Sequence, residues 1–244
     1  MRFSSFTAYL TAGAVGVSAA PVIEARGVIA HDAVVGFPQT VPSVRLPIYT
    51  RLLPDLKFQP FLKVENGCVP FAAVDASGNT GGGLKPSGGS SSQCDKNTGQ
   101  VYARGAEFGS RFGIMYSWYM PKDSPSTGLG HRHDWEGVVV WIDNPNTTAD
   151  PKVLAVSTSG HGKFDTITSN LPLDGTHPKI RYFSVFPVNH QLGTTNTKGG
   201  QQPLVAWESL TEAARAALQN TDFGSANVPF KDPNFMDNLK SASF

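Results

Sequence analysis

Imidazole and carboxylate side chains crowd into one short stretch, Gly130-His131-Arg132-His133-Asp134-Trp135-Glu136-Gly137. Groups of these types held close together can ligate a divalent ion or share protons. The residues that follow, Val138-Val139-Val140-Trp141-Ile142, are strongly β-prone, so the stretch runs into a strand. Strand alternation then puts Asp134 and Glu136 on one face, together with Val138, Val140 and Ile142. Two carboxylates about 7 Å apart on one strand face repel unless a cation or protons intervene. The same face turns apolar at once, which is a costly place for bare charge. Asp123, in Pro121-Lys122-Asp123-Ser124-Pro125, can close the group from the preceding loop. Asp123, His131, Asp134 and Glu136 are hard donors as a set, which suits calcium, magnesium or manganese better than zinc. Strict alternation leaves His131 on the opposite parity from Asp134, so it must reach the site through the turn or bind through a water.

Two other readings of the same residues compete with the cation site. The bland one is a solvated acidic patch with His131 and His133 in a turn. The enzymatic one is a cupin-like metal oxygenase, because His-x-His followed by Glu is similar to the metal-binding strand of such enzymes. A cupin site needs a further imidazole from a later strand, for which His161, His177 and His190 are available but lie in no convincing partner motif. There is no nucleophile elbow, no phosphate-cradling glycine loop and no His-Glu-x-x-His. Nothing in the chain demands catalysis.

The elements that must hold this cluster are mostly short apolar runs broken by Gly, Pro, Asn and Asp. Strands are predicted over 61–64, 100–106, 111–120, 135–143, 152–157, 180–188 and 203–207. A helix is predicted over 209–220, with Ser209 as cap and Glu212 three residues on. A second helical segment, 40–53, is ambiguous because Pro42 and Pro47 interrupt it. With no internal repeat and no linker, the pattern predicts a mainly β fold, one sandwich-like domain with peripheral helices.

The 244 residues carry 20 Lys and Arg against 19 Asp and Glu, and only 16% are charged. That balance excludes a nucleic-acid binder with a broad basic face, a polybasic membrane anchor and a coiled coil. Arg2 precedes an apolar, small-residue run, and Val17-Ser18-Ala19-Ala20 offers a cleavage pattern. Residues 1–20 therefore read as a secretory signal peptide, 21–30 as a short pro-segment or flexible N-terminus, and 31–244 as the mature domain. No later apolar run approaches the roughly 20 residues of a membrane-spanning helix. An oxidising destination favours a Cys68–Cys94 disulfide, whose glycine- and serine-rich loop gives it about 3.5 kcal/mol in the chain-entropy model. Asn146-Thr147-Thr148 is an N-glycosylation acceptor in a Pro- and Asp-rich turn.

The run Gly113-Ile114-Met115-Tyr116-Ser117-Trp118-Tyr119-Met120-Pro121-Lys122-Asp123, continuing through Gly130-His131-Arg132-His133-Asp134-Trp135-Glu136, resembles the hallmark region of the necrosis- and ethylene-inducing-peptide-like proteins. These are secreted cytolysins of plant-associated fungi, oomycetes and bacteria. The heptapeptide 130–136 is intact. The likeness extends to His31-Asp32-Ala33-Val34-Val35 at the start, to Gly82-Gly83-Leu84-Lys85-Pro86-Ser87-Gly88 with Cys94, and to Thr221-Asp222-Phe223-Gly224-Ser225-Ala226-Asn227-Val228-Pro229-Phe230. It implies a β-sandwich resembling actinoporins and fungal lectins, in the single-disulfide subgroup. It also implies a divalent cation, calcium or else magnesium, held by Asp123, His131, Asp134 and Glu136. The implied partners are glycosyl inositol phosphorylceramide head groups of the plant outer leaflet, and a plant pattern-recognition receptor that senses segment 113–136. No nucleic acid is implied, and the protein is expected to be a monomer in solution. His133 and His190 become candidates for the head-group and membrane-facing surface. Where some members carry Trp and Asp in the loop before His190, this chain has Phe186 and Asn189. That departure bears on toxicity, since the family includes non-toxic members that act only as immune elicitors.

Overall fold

The computed structural model describes residues 27–40 and 54–244. The expected leader, the start of the pro-segment and the body of the ambiguous helix 40–53 lie outside the described residues. In chain order the elements are β1 (Val28–Ile29), α1 (Pro54–Lys57), β2 (Phe61–Val64), β3 (Thr80–Gly81), β4 (Val101–Phe108), β5 (Arg111–Asp123) and β6 (His131–Asp143). There follow β7 (Val153–Gly160), β8 (Lys163–Ile167), β9 (Leu173–Asp174), β10 (His177–Phe183), β11 (Gln191–Thr194) and β12 (Leu204–Ala206). A 3-10 turn (Trp207–Ser209) leads to α2 (Glu212–Asn220) and α3 (Asp232–Ser241). A six-stranded sheet, ordered β12-β4-β5-β6-β7-β8, faces a smaller sheet ordered β11-β10-β2, with β9 on β10.

β5 and β6 form the centre of the large sheet, and both of their faces are buried, which explains their near-continuous apolar sequence. One face meets the small sheet and α1. There the Tyr116 hydroxyl donates to the Asp55 carbonyl at 2.7 Å and Trp118 Nε1 donates to Gln202 at 2.8 Å. The other face meets the C-terminal helices. Trp141 Nε1 donates to the Ala242 carbonyl at 3.1 Å, and a Cβ on Gly113 would come within 3.0 Å of both the Trp141 ring and Leu239. Gly113 is therefore the cross-strand partner that leaves room for a tryptophan and a helix on that face.

The seven predicted strands all form, with shifted ends. The run 180–188 stops at Phe183, and the chain then turns, with Val188 N–H donating to the Val185 carbonyl at 2.9 Å, before it enters β11. β8, β11 and α3 were not anticipated. The predicted helix starts at Glu212 rather than at Ser209: Trp207 and Leu210 are buried, which draws 207–209 into a 3-10 turn. Thr211 then caps α2, its hydroxyl accepting from Ala214 N at 3.1 Å. Cys68 and Cys94 are bonded, as expected. Asn146 lies exposed in the turn after β6, its side-chain amide donating to Glu107.

Candidate metal centre

Cross-strand register sets the site. Asp123 pairs with His131, Lys122 with Arg132, and Met120 with Asp134, so Pro121 and His133 lie opposite each other between the last two pairs. Pro121 has no N–H to give the ladder, and His133 adopts a left-handed backbone, φ 61°. Left-handed backbone within a strand interrupts the alternation. Arg132 and His133 consequently share the side of the glycine-rich loop, while His131 returns to the side of Asp134. Neither a detour through the turn nor a bridging water is needed. The turn itself requires Gly130, at φ 99°, where a Cβ would collide with the Asp123 carbonyl.

Asp123, His131 and Asp134 each offer one ligand atom within 4.8 Å of one another. Asp123 is 1% exposed and accepts from the His190 backbone N–H at 3.1 Å and from His190 Nδ1 at 2.6 Å. His131 Nδ1 lies 2.7 Å from the His133 carbonyl, which can only accept, so Nδ1 carries the proton. The neutral ring therefore presents the Nε2 lone pair, 3.7 Å from Asp123 Oδ2, which is the tautomer a metal requires. Asp134 is fixed by the Tyr182 hydroxyl, which donates to Oδ2 at 2.7 Å.

Burial, reinforced by the charge of Asp123, pushes the Asp134 carboxyl up to about 7, against the opposing effect of the Tyr182 hydrogen bond. Burial, followed by repulsion from Asp134, raises Glu136 well above the usual carboxylate range. A divalent ion would relieve both penalties, and that is the physical fit between these residues and a cation. Two carboxylates and one imidazole would ligate it, leaving positions open for a partner's oxygens.

The four expected ligands do not all stand alike. Glu136 shares the Asp134 face and the same cleft, but its carboxylate is taken by the Ser159 hydroxyl and it lies outside the three-membered group. His133 is buried. It is hydrogen-bonded through Nδ1 to the Tyr119 hydroxyl at 2.6 Å and packed edge-on against Phe223, and burial lowers it to about 4. His190 is also buried, stacked on Tyr182 and bonded to Asp123 within the lining of the same cleft. Of the three imidazoles a cupin cage could draw on, His190 reaches the cluster but gives Nδ1 to Asp123 and lies outside the three-membered group, His161 lies in the cleft lining and His177 bonds the Gln59 carbonyl.

The cluster lies in an open cleft of about 530 Å³ whose opposite wall carries Asn227, Asn234 and Asn238. Sequence reasoning missed these asparagines and Tyr182. Asn227 lies within the C-terminal likeness, but Tyr182 reaches Asp134 only because two sheets pack, and no local signal marks it.

Comparisons with known proteins show the family to which this chain belongs. The family described as Necrosis inducing protein (NPP1) matches residues 54–242. NLP effector protein 10 of Phytophthora capsici is 50% identical over 221 residues, which cover 88% of this chain and 91% of that protein. Necrosis-inducing protein NPP1 of Phytophthora nicotianae is 47% identical over 242 residues, covering 97% and 98%. Among solved structures, NLPPya in complex with mannosamine matches with a TM-score of 0.80 at 49% identity, over 89% of this chain and 100% of that one. The non-toxic HaNLP3 protein matches with a TM-score of 0.80 at 40% identity, over 87% and 98%. The chain belongs to the necrosis-inducing protein (NPP1) family.

Proposed function

We propose that this necrosis inducer is a secreted, cation-dependent cytolysin without catalytic turnover. In this reading it binds glycosyl inositol phosphorylceramide head groups of the plant outer leaflet and permeabilises the membrane. The observation that carries the reading is the convergence of Asp123, His131 and Asp134 at the floor of an open cleft. A calcium or magnesium ion held there by few protein ligands keeps positions for sugar oxygens, and extracellular calcium modules of this kind bind at about 10⁻⁴ to 10⁻³ M. The amino-sugar complex of NLPPya supports a glycosylated head group as the ligand. Among the described residues no helix is long and apolar enough to cross a membrane, so attachment must come from the head-group contact and the loops beside it. Two loops flanking the cleft expose apolar side chains, Leu129 before His131, and Val185, Phe186 and Val188 before Asn189. These suit contact with a lipid surface.

Dye release from vesicles carrying plant sphingolipids, with and without chelator, tests the reading. Leakage is expected to depend on the divalent ion and to vanish in Asp134→Ala; undiminished leakage from a folded Asp134→Ala protein overturns it. A second reading, an elicitor that leaves membranes intact, draws support from HaNLP3, a non-toxic protein of the same fold, and from Phe186 and Asn189. It predicts intact vesicles while a peptide spanning 113–136 still triggers defence through a plant receptor.

A further inference from the structure

Adjacent residues of a strand point to opposite sides of the sheet, so the Lys122–Arg132 pair, one step from Asp123–His131, faces away from the cation cluster. On that side a cavity of about 410 Å³ separates the hairpin from the glycine-rich loop. Every titratable side chain lining it is a cation: Lys85, Lys122 and Arg132. Lys122 is 1% exposed, and its Nζ donates to the carbonyls of Ser87 and Gly89, both at 3.0 Å. One ammonium proton is left over. Among the described residues no carboxylate lies within ion-pairing distance of these three cations. A buried ammonium without a counter-ion is an arrangement that folding normally avoids.

A purely structural role, in which Lys122 tethers the loop, accounts for its two carbonyl bonds. It does not account for the open volume, for the exposed Lys85 at the mouth, or for the choice of charge where a neutral donor would serve. Arg132 is held by Nη1, which donates to the carbonyls of Gly82 and Gly83 at 2.6 and 3.0 Å. Its remaining N–H groups are available in a fixed orientation.

We propose that this cavity is a binding site for a phosphate-type oxyanion, with Lys122 at its floor and Lys85 and Arg132 at its mouth. A tetrahedral oxyanion accepts from the spare ammonium proton and the guanidinium, and it supplies the missing counter-charge. A lipid phosphate and a soluble phosphate present the same chemistry. The site uses none of the cation ligands and stands apart from the cytolysin reading.

The test uses the full chain in chelator, so that the cation cluster takes no part. Inorganic phosphate is titrated against chloride at matched ionic strength, with thermal unfolding as the readout. Sedimentation is followed with phosphatidylcholine vesicles with or without phosphatidylinositol 4-phosphate. Phosphate is expected to raise Tm beyond chloride, with apparent affinity reduced at least about tenfold in Lys85→Glu, an exposed position, and in Lys122→Met. Sedimentation that requires the phosphoinositide and is lost in Lys85→Glu supports a lipid source. A phosphate response without vesicle binding supports a soluble one. Equal responses to phosphate and chloride, or a phosphate response undiminished in Lys85→Glu, overturn the proposal, whether or not Lys122→Met folds.

Discussion

At the scale of single residues the cation cluster is a set of groups held in costly states. Asp134 in the folded protein titrates near 7, far above its ordinary 3.8, because burial and Asp123 penalise its charged form. A carboxyl raised on folding leaves stability intact below its unfolded value and erodes it as pH climbs through the folded one. In chelator, stability is therefore expected to fall between about pH 4 and 7, by an amount on the order of 1–4 kcal/mol for this group. An added divalent ion competes with those protons, so its stabilising effect should grow from pH 5 to pH 8. Asp134→Asn should flatten the fall in chelator and abolish the response to the ion. Thermal unfolding across that pH range, with calcium, magnesium or chelator, checks both statements; a calcium response as large in Asp134→Asn as in the parent would refute them.

At the scale of elements, the β5–β6 hairpin converts sequence spacing into a site. Its turn depends on Gly130, whose left-handed φ and contact with the Asp123 backbone leave no room for a Cβ. Gly130→Ala is expected to cost about 1–3 kcal/mol and to displace Asp123 and His131 together. Denaturant unfolding measures the first effect, and loss of the calcium-induced Tm gain measures the second. Helix α2 offers a cleaner comparison away from the site. Thr211→Ala should cost about 1 kcal/mol, because it removes the hydroxyl that accepts from Ala214 N. Ser209→Ala, in the preceding 3-10 turn, should cost far less. The reverse order would mean that the helix starts where the sequence pattern first suggested.

At the scale of the whole molecule, one disulfide ties the glycine-rich loop to the body, and the hairpin leans on that loop through Lys122 and Arg132. Joint replacement of Cys68 and Cys94 by serine should lower stability by about 2–4 kcal/mol, read from the denaturant midpoint. Nearly all of β5 and of β6 as far as Glu136 is buried. Within segment 113–136 the exposed residues are 127–130 and Arg132, so a receptor that senses the segment in the folded protein would meet that turn, and would reach the strands on either side of it only after unfolding or proteolysis.

Much of this protein was legible in the chain itself. Apolar runs and turn residues marked the central strands, because local β-propensity and tertiary burial favour the same residues there. The spacing of Asp134 and Glu136 placed them on one face, and the hard donor set pointed to a divalent-cation site. Other features depended on parts distant in sequence. Tyr182 and His190 come from the second sheet and its following loop; Tyr182 engages one oxygen of Asp134, and His190 engages both oxygens of Asp123. The left-handed backbone of His133, opposite a proline, moved His131 to the side that simple alternation denied it. Glu136 bonds Ser159 and lies outside the innermost group, and His133 and His190 are buried by neighbours distant in sequence. Periodicity assigns a side chain to a face of its own element; which groups meet across that face is fixed by the packing of sheets, and only tertiary structure supplies it.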